Sequence, residues 1–237
     1  MSTPPNWAAD LLTAYLDLTR QQQFATFVNF PTHFKKILDV DAVFVRFFDG
    51  LVDPESPSAA FFMLQTHAAY RAAAELSMST QAAPAFAVMR QCLENSLYGL
   101  HIDRAPDALE TWIKRDVDAA AKQKMKTEFT IGNLKKTLAS ADSNTHKIWS
   151  QLYDKTIDFG AHPNPAALAA AFKMQKGEKG IRFQVAYLTA EPEIIGGTMK
   201  SVGQTGVCCL FVFRHVFPKR FDQLGIPASL EQLRQGL

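Results

Sequence analysis

Apolar residues recur at every third or fourth position along most of the chain, the pattern of helices that turn one face to a core. Near the N-terminus Trp7, Leu11, Leu12, Tyr15, Leu18 and Phe24 keep this spacing behind Pro4 and Pro5, predicting a first helix that ends near Asn29. Pro31 cannot continue it, and Phe34, Ile37 and Leu38 restart the period. Val40 to Phe48 is β-branched and aromatic, which suits either a strand or a helix end before Asp49-Gly50. Ser56-Pro57 opens a helix that runs to about Thr80. There Phe61, Leu64, Ala68 and Ala72 form one stripe with Ala69, Ala73 and Leu76 beside it, slim enough to predict close helix packing. Pro84 opens a helix in which Phe86, Met89, Leu93, Leu97 and Leu100 approach heptad spacing, predicting a central element.

Asp103 to Pro106 interrupts the pattern, and Ala105 to Lys126 reads as one long polar surface helix anchored by Leu109, Trp112, Ile113 and Val117. Gly132-Asn133 precedes a short helix with Leu134 and Leu138, and Asp142-Ser-Asn-Thr caps the helix of Ile148, Trp149, Leu152 and Ile157. That helix stops at Gly160 to Pro165. Around the turn Lys176 to Gly180, Ile181, Phe183, Val185 and Tyr187 alternate as a half-buried strand does, predicting a minor β-hairpin near residues 171–188. Thr189 and Glu191-Pro-Glu start a last long helix whose Gly196, Gly203 and Gly206 share one side, where a neighbouring backbone can approach. Pro218 closes it, and Phe221, Leu224, Ile226, Leu230 and Leu233 form a C-terminal clasp. The fold class is therefore all-α, a multi-helix bundle in one domain over residues 1–237. Helices of 1–50 pack on a core bundle of 57–165, followed by the hairpin and the helices of 190–237.

Composition narrows the partners. Apolar residues make up 47% of the 237, enough for a sizeable core, and Phe, with 18 copies and no polar atom, should dominate it. A net charge of +2 gives no field that would select nucleic acid or an anionic membrane on its own. The longest apolar run, Val207 to Phe213, is far short of the roughly 20 residues that span a bilayer, so no membrane span is expected. The first residues lack the charged and apolar regions of a secretory signal, and Cys92, Cys208 and Cys209 read as buried thiols; both suit a cytoplasmic protein. Lys114, Arg115, Lys122, Lys124, Lys126, Lys135 and Lys136 concentrate positive charge, but interspersed acids and the lack of interleaved aromatics read as a solvated face before they read as a nucleic-acid surface.

Candidate chemistry lies on the central helix. Arg90, Glu94, Tyr98 and His101 follow at steps of four, four and three, so a helix displays them as one polar stripe; His67, Arg71 and Glu75 make a similar triplet on the helix before. Solvated ion pairs account for both, yet Arg precedes Glu each time, the order less helpful to a helix. A polar seam between helices is the alternative. His162, in Asp158-Phe-Gly-Ala-His-Pro-Asn-Pro, follows a helix end where prolines stiffen the exit, so it either caps carbonyls or is presented for chemistry, with Asn164 beside it. Asp142/His146 and Asp158/His162 have a spacing that could pair metal ligands, but no motif completes either set, and neither a metal nor a cofactor is expected. Phosphate-loop and serine-hydrolase motifs are absent from the sequence.

Met89-Arg-Gln-Cys-Leu-Glu94 on a core helix, together with Tyr153 and Gly160-Ala-His-Pro-Asn164, resembles a bacterial group of helical proteins distantly similar to the HEPN superfamily. The resemblance implies a four- or five-helix bundle, often dimeric, linked to RNA cleavage, toxin and antitoxin pairs or phage defence. By position it implies His162 as the motif histidine, with Arg90 and Glu94 facing it and Asn164, Tyr153, Tyr98 and His101 in support. RNA-cleaving members carry an Arg four to six residues before that His; here Ile157 and Asp158 stand in that stretch and the nearest base, Lys155, is seven residues away. Cleavage thus lacks the guanidinium that would hold a phosphate, unless Arg90 supplies it. Two functions follow: a HEPN-like protein linked to nucleic acid or defence, or a non-enzymatic helical scaffold or interaction protein, a homodimer in one form, whose polar residues brace the bundle.

Overall fold

Proline and short polar side chains set most of the helix starts. The structure is a computed structural model that describes residues 3–105, 107–161, 172–177, 180–185 and 187–235. Helix α1 (Leu11–Asn29) begins at Asp10, whose carboxylate accepts from the Leu12 and Thr13 amides at 2.9 Å while Thr13 completes a capping box. This corrects the expected start at Pro4 and Pro5; a side-chain cap satisfies the orphan amides of the first turn, which proline alone does not. Pro31 opens α2 (Pro31–Phe48), so the ambiguous stretch from Val40 is helical. Next come α3 (Pro57–Met78) and α4 (Ala82–Arg104), which pack along their length.

The single polar helix expected over 105–126 is instead broken. Helix α5 (Ala108–Ile113) runs into one 3₁₀ turn, Lys114–Asp116, and α6 (Ala119–Glu128) starts afresh at Asp118, whose carboxylate takes the Ala121 amide at 2.7 Å. Aspartate competes with the backbone inside a helix and stabilises its start, so Asp116-Val-Asp118 divides what periodicity alone would join. Helices α7 (Ile131–Ala141) and α8 (Ser143–Thr156) begin at Thr130 and Asp142 caps, and α8 widens into a π turn over Ile157–Ala161. Strands β1 (Phe172–Gly177) and β2 (Gly180–Val185) pair antiparallel, Phe172 opposite Val185. Helices α9 (Pro192–Arg214), α10 (Pro218–Gln223) and α11 (Ile226–Arg234) close the chain. The architecture is an all-α bundle. Among the described residues no helix is long and apolar enough to cross a membrane.

Helix α4 is the axis of this bundle, with α3 and α9 on two sides and α7 and α8 on the rest. Its Phe86, Met89, Leu93, Leu97 and Leu100 are all buried, as are Cys92, Cys208 and Cys209. Trp149 from α8 lies wholly inside and donates its indole N–H to the Leu93 carbonyl at 3.2 Å. The clasp also forms: Phe221, Ile226, Leu230 and Leu233 are buried, and Phe221 meets Phe47 of α2 at 5.5 Å between ring centroids. Helix α3 is rotated from the expected stripe. Phe62, Met63, Thr66, Ala69, Tyr70 and Ala73 face inward, and Phe61 and Leu64 are about half exposed at 47% and 49%. An alanine-rich helix has two nearly equivalent apolar faces, and the larger inward rings, Phe62 and Tyr70, decide between them.

Gly196 and Gly206 of α9 meet side chains and not the neighbouring backbone that their spacing suggested. A Cβ on Gly206 would stand 2.5 Å from Tyr70 Cε2 and 2.6 Å from Val40 Cγ1. Gly206→Ala should therefore destabilise the fold by about 1–3 kcal/mol through overpacking, read as a lower urea midpoint with unchanged cooperativity. Gly197, where an added Cβ meets nothing within 4 Å, is the control.

Candidate functional site

The four residues of the α4 stripe do not make one site. Arg90 and Glu94 turn to α8: the Arg90 Nε–H donates to Glu94 Oε1 at 2.8 Å, and the Tyr153 hydroxyl donates to the same oxygen at 3.1 Å. The Arg90 guanidinium lies 5.0 Å above the Tyr153 ring, which stacks on Trp149 at 4.8 Å and 16°. Lys135 of α7 brings its ammonium to 5.4 and 5.3 Å from the same two rings. Two cations, one carboxylate and a stacked aromatic pair thus form a seam joining α4, α7 and α8. Burial, then the Glu94 charge, push the Tyr153 phenol up to about 12, so it remains a protonated donor across the physiological range.

Tyr98 and His101 belong to a second cluster further along α4. The Tyr98 ring sits between Phe62 and Phe129, and burial, then the Glu94 charge, raise its phenol above the ordinary range. His101 places Nδ1 2.9 Å from Thr137 Oγ1, while its buried Nε2 is 3.8 Å from Glu128 Oε1, too far for a hydrogen bond. Burial holds this imidazole below its ordinary value despite Glu128.

His162 and Asn164 lie outside the described residues. The chain just before them is seated on the start of α4: a Cβ on Gly160 would come within 2.2 Å of the Ala83 carbonyl oxygen, and Phe159 stacks on Phe86 at 5.3 Å. Only glycine lets the backbone approach so closely there. Asp142 does not partner His146. Its oxygens cap α8 through the Asn144 and Thr145 amides, and the imidazole nearest to it is that of His215, at 3.4 Å. Among the described residues no three His, Cys, Asp or Glu side chains group as metal ligands would.

The triplet on α3 resolves differently from its spacing. His67 and Arg71 converge on Asp41 of α2: His67 Nε2 is 2.7 Å from Asp41 Oδ1, and Arg71 grips both carboxylate oxygens at 2.7 and 2.9 Å. Glu75 forms no ion pair among the described residues. His67 also stacks on Phe44 at 4.9 Å and 8°. Burial raises the Asp41 carboxyl, but Arg71 and His67 outweigh it and hold it below the usual range; burial likewise holds His67 low, against the pull of Asp41. Asp41 escaped the sequence reading because it is 26 residues from His67, a separation that leaves no local pattern. In the basic stretch, Lys114 pairs with Glu110 and Arg115 with Asp116, consistent with a solvated face.

No protein-family model matches the chain, and neither a curated protein nor a solved structure matches it.

Both depressed histidines give the fold a pH dependence of known sign. Folded His67 and His101 stay neutral at a pH where the unfolded chain, with imidazoles near 6.5, takes up protons. Stability is thus greatest above pH 6.5 and falls as the pH drops below it; Asp41 adds a second loss below its unfolded value of 3.8. Thermal unfolding between pH 8 and 5 should show the first loss, and His67→Gln combined with His101→Gln should flatten it. For the seam, a double-mutant cycle of Glu94→Gln and Tyr153→Phe should give a coupling of roughly 0.5–3 kcal/mol by urea unfolding.

Proposed function

We propose that this chain is a non-enzymatic helical interaction protein that assembles with a second copy of itself through the outer face of α1. The observation that carries this reading is the inverted polarity of that helix. Tyr15, Thr19, Gln22, Gln23 and Thr26 face inward, where Tyr15 donates to Gln81 and Gln23 to Ser79, each at 2.9 Å. Large apolar side chains stand bare on the outside, Leu11 93% exposed, Phe24 66% and Val28 71%, with the polar Arg20 and Gln21 among them. A surface helix that needed only its own fold would carry the reverse pattern.

A second copy fits this face because the helix is electrically closed. Its only formal charges are Asp17 and Arg20, which pair with each other, while Trp7 and Gln21 also donate to Asp17. A two-fold contact of the helix with itself buries apolar surface without stranding a charge. The polar seam suits a scaffold too. Arg90, Glu94 and Tyr153 bond to one another and brace α4 against α8, which accounts for them without a substrate.

Sedimentation of the full chain at micromolar concentration tests this. Wild type should run as a dimer, and Phe24→Glu with Val28→Glu should run as a folded monomer, its helicity confirmed by circular dichroism. A monomeric wild type, or a dimer indifferent to both charges, rejects the reading. The second reading, a HEPN-like protein linked to nucleic acid, draws support from the seating of Gly160 on Ala83 of α4, the helix that carries Arg90 and Glu94. Incubation with mixed RNA oligonucleotides should then give cleavage or retention that His162→Ala abolishes; equal behaviour of the two proteins removes it.

A further inference from the structure

A groove between α8 and α9, away from α1 and from the seam, has a cation at one end with no carboxylate partner among the described residues. Its walls are Ile148 and Leu152 from α8 and Val207, Cys208 and Phe211 from α9, enclosing about 400 Å³. That volume lies within the range of small-molecule sites. Its polar lining is Gln151, Gln204 and Lys155 toward one end and Thr145 of α8 and Arg234 of α11 toward the other. No carboxylate lines it.

Lys155 is the unusual member. Its Nζ donates to Ser201 Oγ at 2.7 Å, and that hydroxyl is already committed as donor to the Gly197 carbonyl at 2.8 Å. An ammonium has three donors, and among the described residues Lys155 meets no carboxylate within ion-pair distance. Burial, with the charge of Lys200 nearby, holds it below the ordinary lysine range. By contrast Arg234 is paired with Glu231 at 2.7 Å. Beyond Ile148 and Phe211 the groove opens into a wider cleft whose lining mixes Arg104, Arg214, His215 and Arg234 with Asp142 and Glu231.

From this geometry we infer that the groove binds a small organic monoanion, a carboxylate on an unbranched apolar chain, with its head at Lys155 and its tail along Ile148, Leu152, Val207 and Phe211. The head would take the remaining ammonium donors in a charge-assisted hydrogen bond, and the tail would replace water over an apolar wall. Neither interaction needs the dimer.

Titration calorimetry of the full-length protein with octanoate, 1-octanol and acetate is the test. Octanoate should bind, and octanol and acetate should each bind at least about tenfold more weakly, since one lacks the charge and the other the chain. Lys155→Gln should weaken octanoate by a similar factor, Lys155→Arg should restore it, and Gln204→Trp, which fills the groove, should abolish it. Lys122→Gln, an exposed lysine on α6, controls for net charge and should change nothing. Octanoate failing to bind, binding no better than octanol, or ignoring Lys155→Gln while the protein stays folded would each overturn the assignment.

Discussion

Everything else in this fold depends on how closely three long helices approach one another. A Cβ on Gly99 of α4 would stand 2.8 Å from Phe213 of α9, and one on Gly206 of α9 would run into Tyr70 of α3. Ala69, Ala73 and Ala85 are buried beside them. With no bulk at these points the large rings of Phe213 and Tyr70 fill the space opposite. Because α3 and α9 occupy two sides of α4, only its remaining flank is left for α7 and α8. Arg90 and Glu94 are on that flank, so their meeting with Tyr153 follows from the tight packing behind them.

The helix inventory was legible because it rests on local rules. Pro57, Asp142 and Pro218 mark starts that geometry enforces, and the buried spine of α4 could be read directly from Phe86 to Leu100. Other features depended on choices between near-equal options. Ala68 and Ala69 are equally apolar, and only the ring of Tyr70, whose hydroxyl donates to the Ile37 carbonyl at 2.9 Å, fixes which one turns inward. The candidate site was legible as far as one helix could show it. Spacing put Arg90 beside Glu94, but Tyr153 is 59 residues from Glu94, and Lys135 entered the sequence reading only as part of a basic run. The same limit hid Asp41 from His67 and the groove from Lys155.

The polar seam is better understood as a device of specificity than of stability. The Arg90 and Glu94 side chains keep 24% and 32% of their exposure, so their attraction is screened and worth about 0–1 kcal/mol. The adjacent Trp149, fully buried, contributes more through apolar area. What the charges add is direction. The Tyr153 hydroxyl has to find Glu94, and the Trp149 indole has to find the Leu93 carbonyl one residue away, so two bonds to successive residues fix the register of α8 against α4. A slip by one helical turn would break both.

Helix α1 presents the opposite problem, since little of its apolar surface is covered by its own chain. Only Thr19 and Thr26 are buried in it, and Thr19 donates to the Leu16 carbonyl of its own helix. An isolated helix of 19 residues is marginal in water, and a polar inner face adds only hydrogen bonds that exchange for water at small net gain. The Asp10 cap and the Asp17 cluster hold the first three turns, and Phe27 packs edge-on against Phe34 of α2, but Phe24 and Val28 gain little until something apolar meets them. Under the proposed self-assembly a second copy would bury that face, and the stability of α1 would be coupled to assembly.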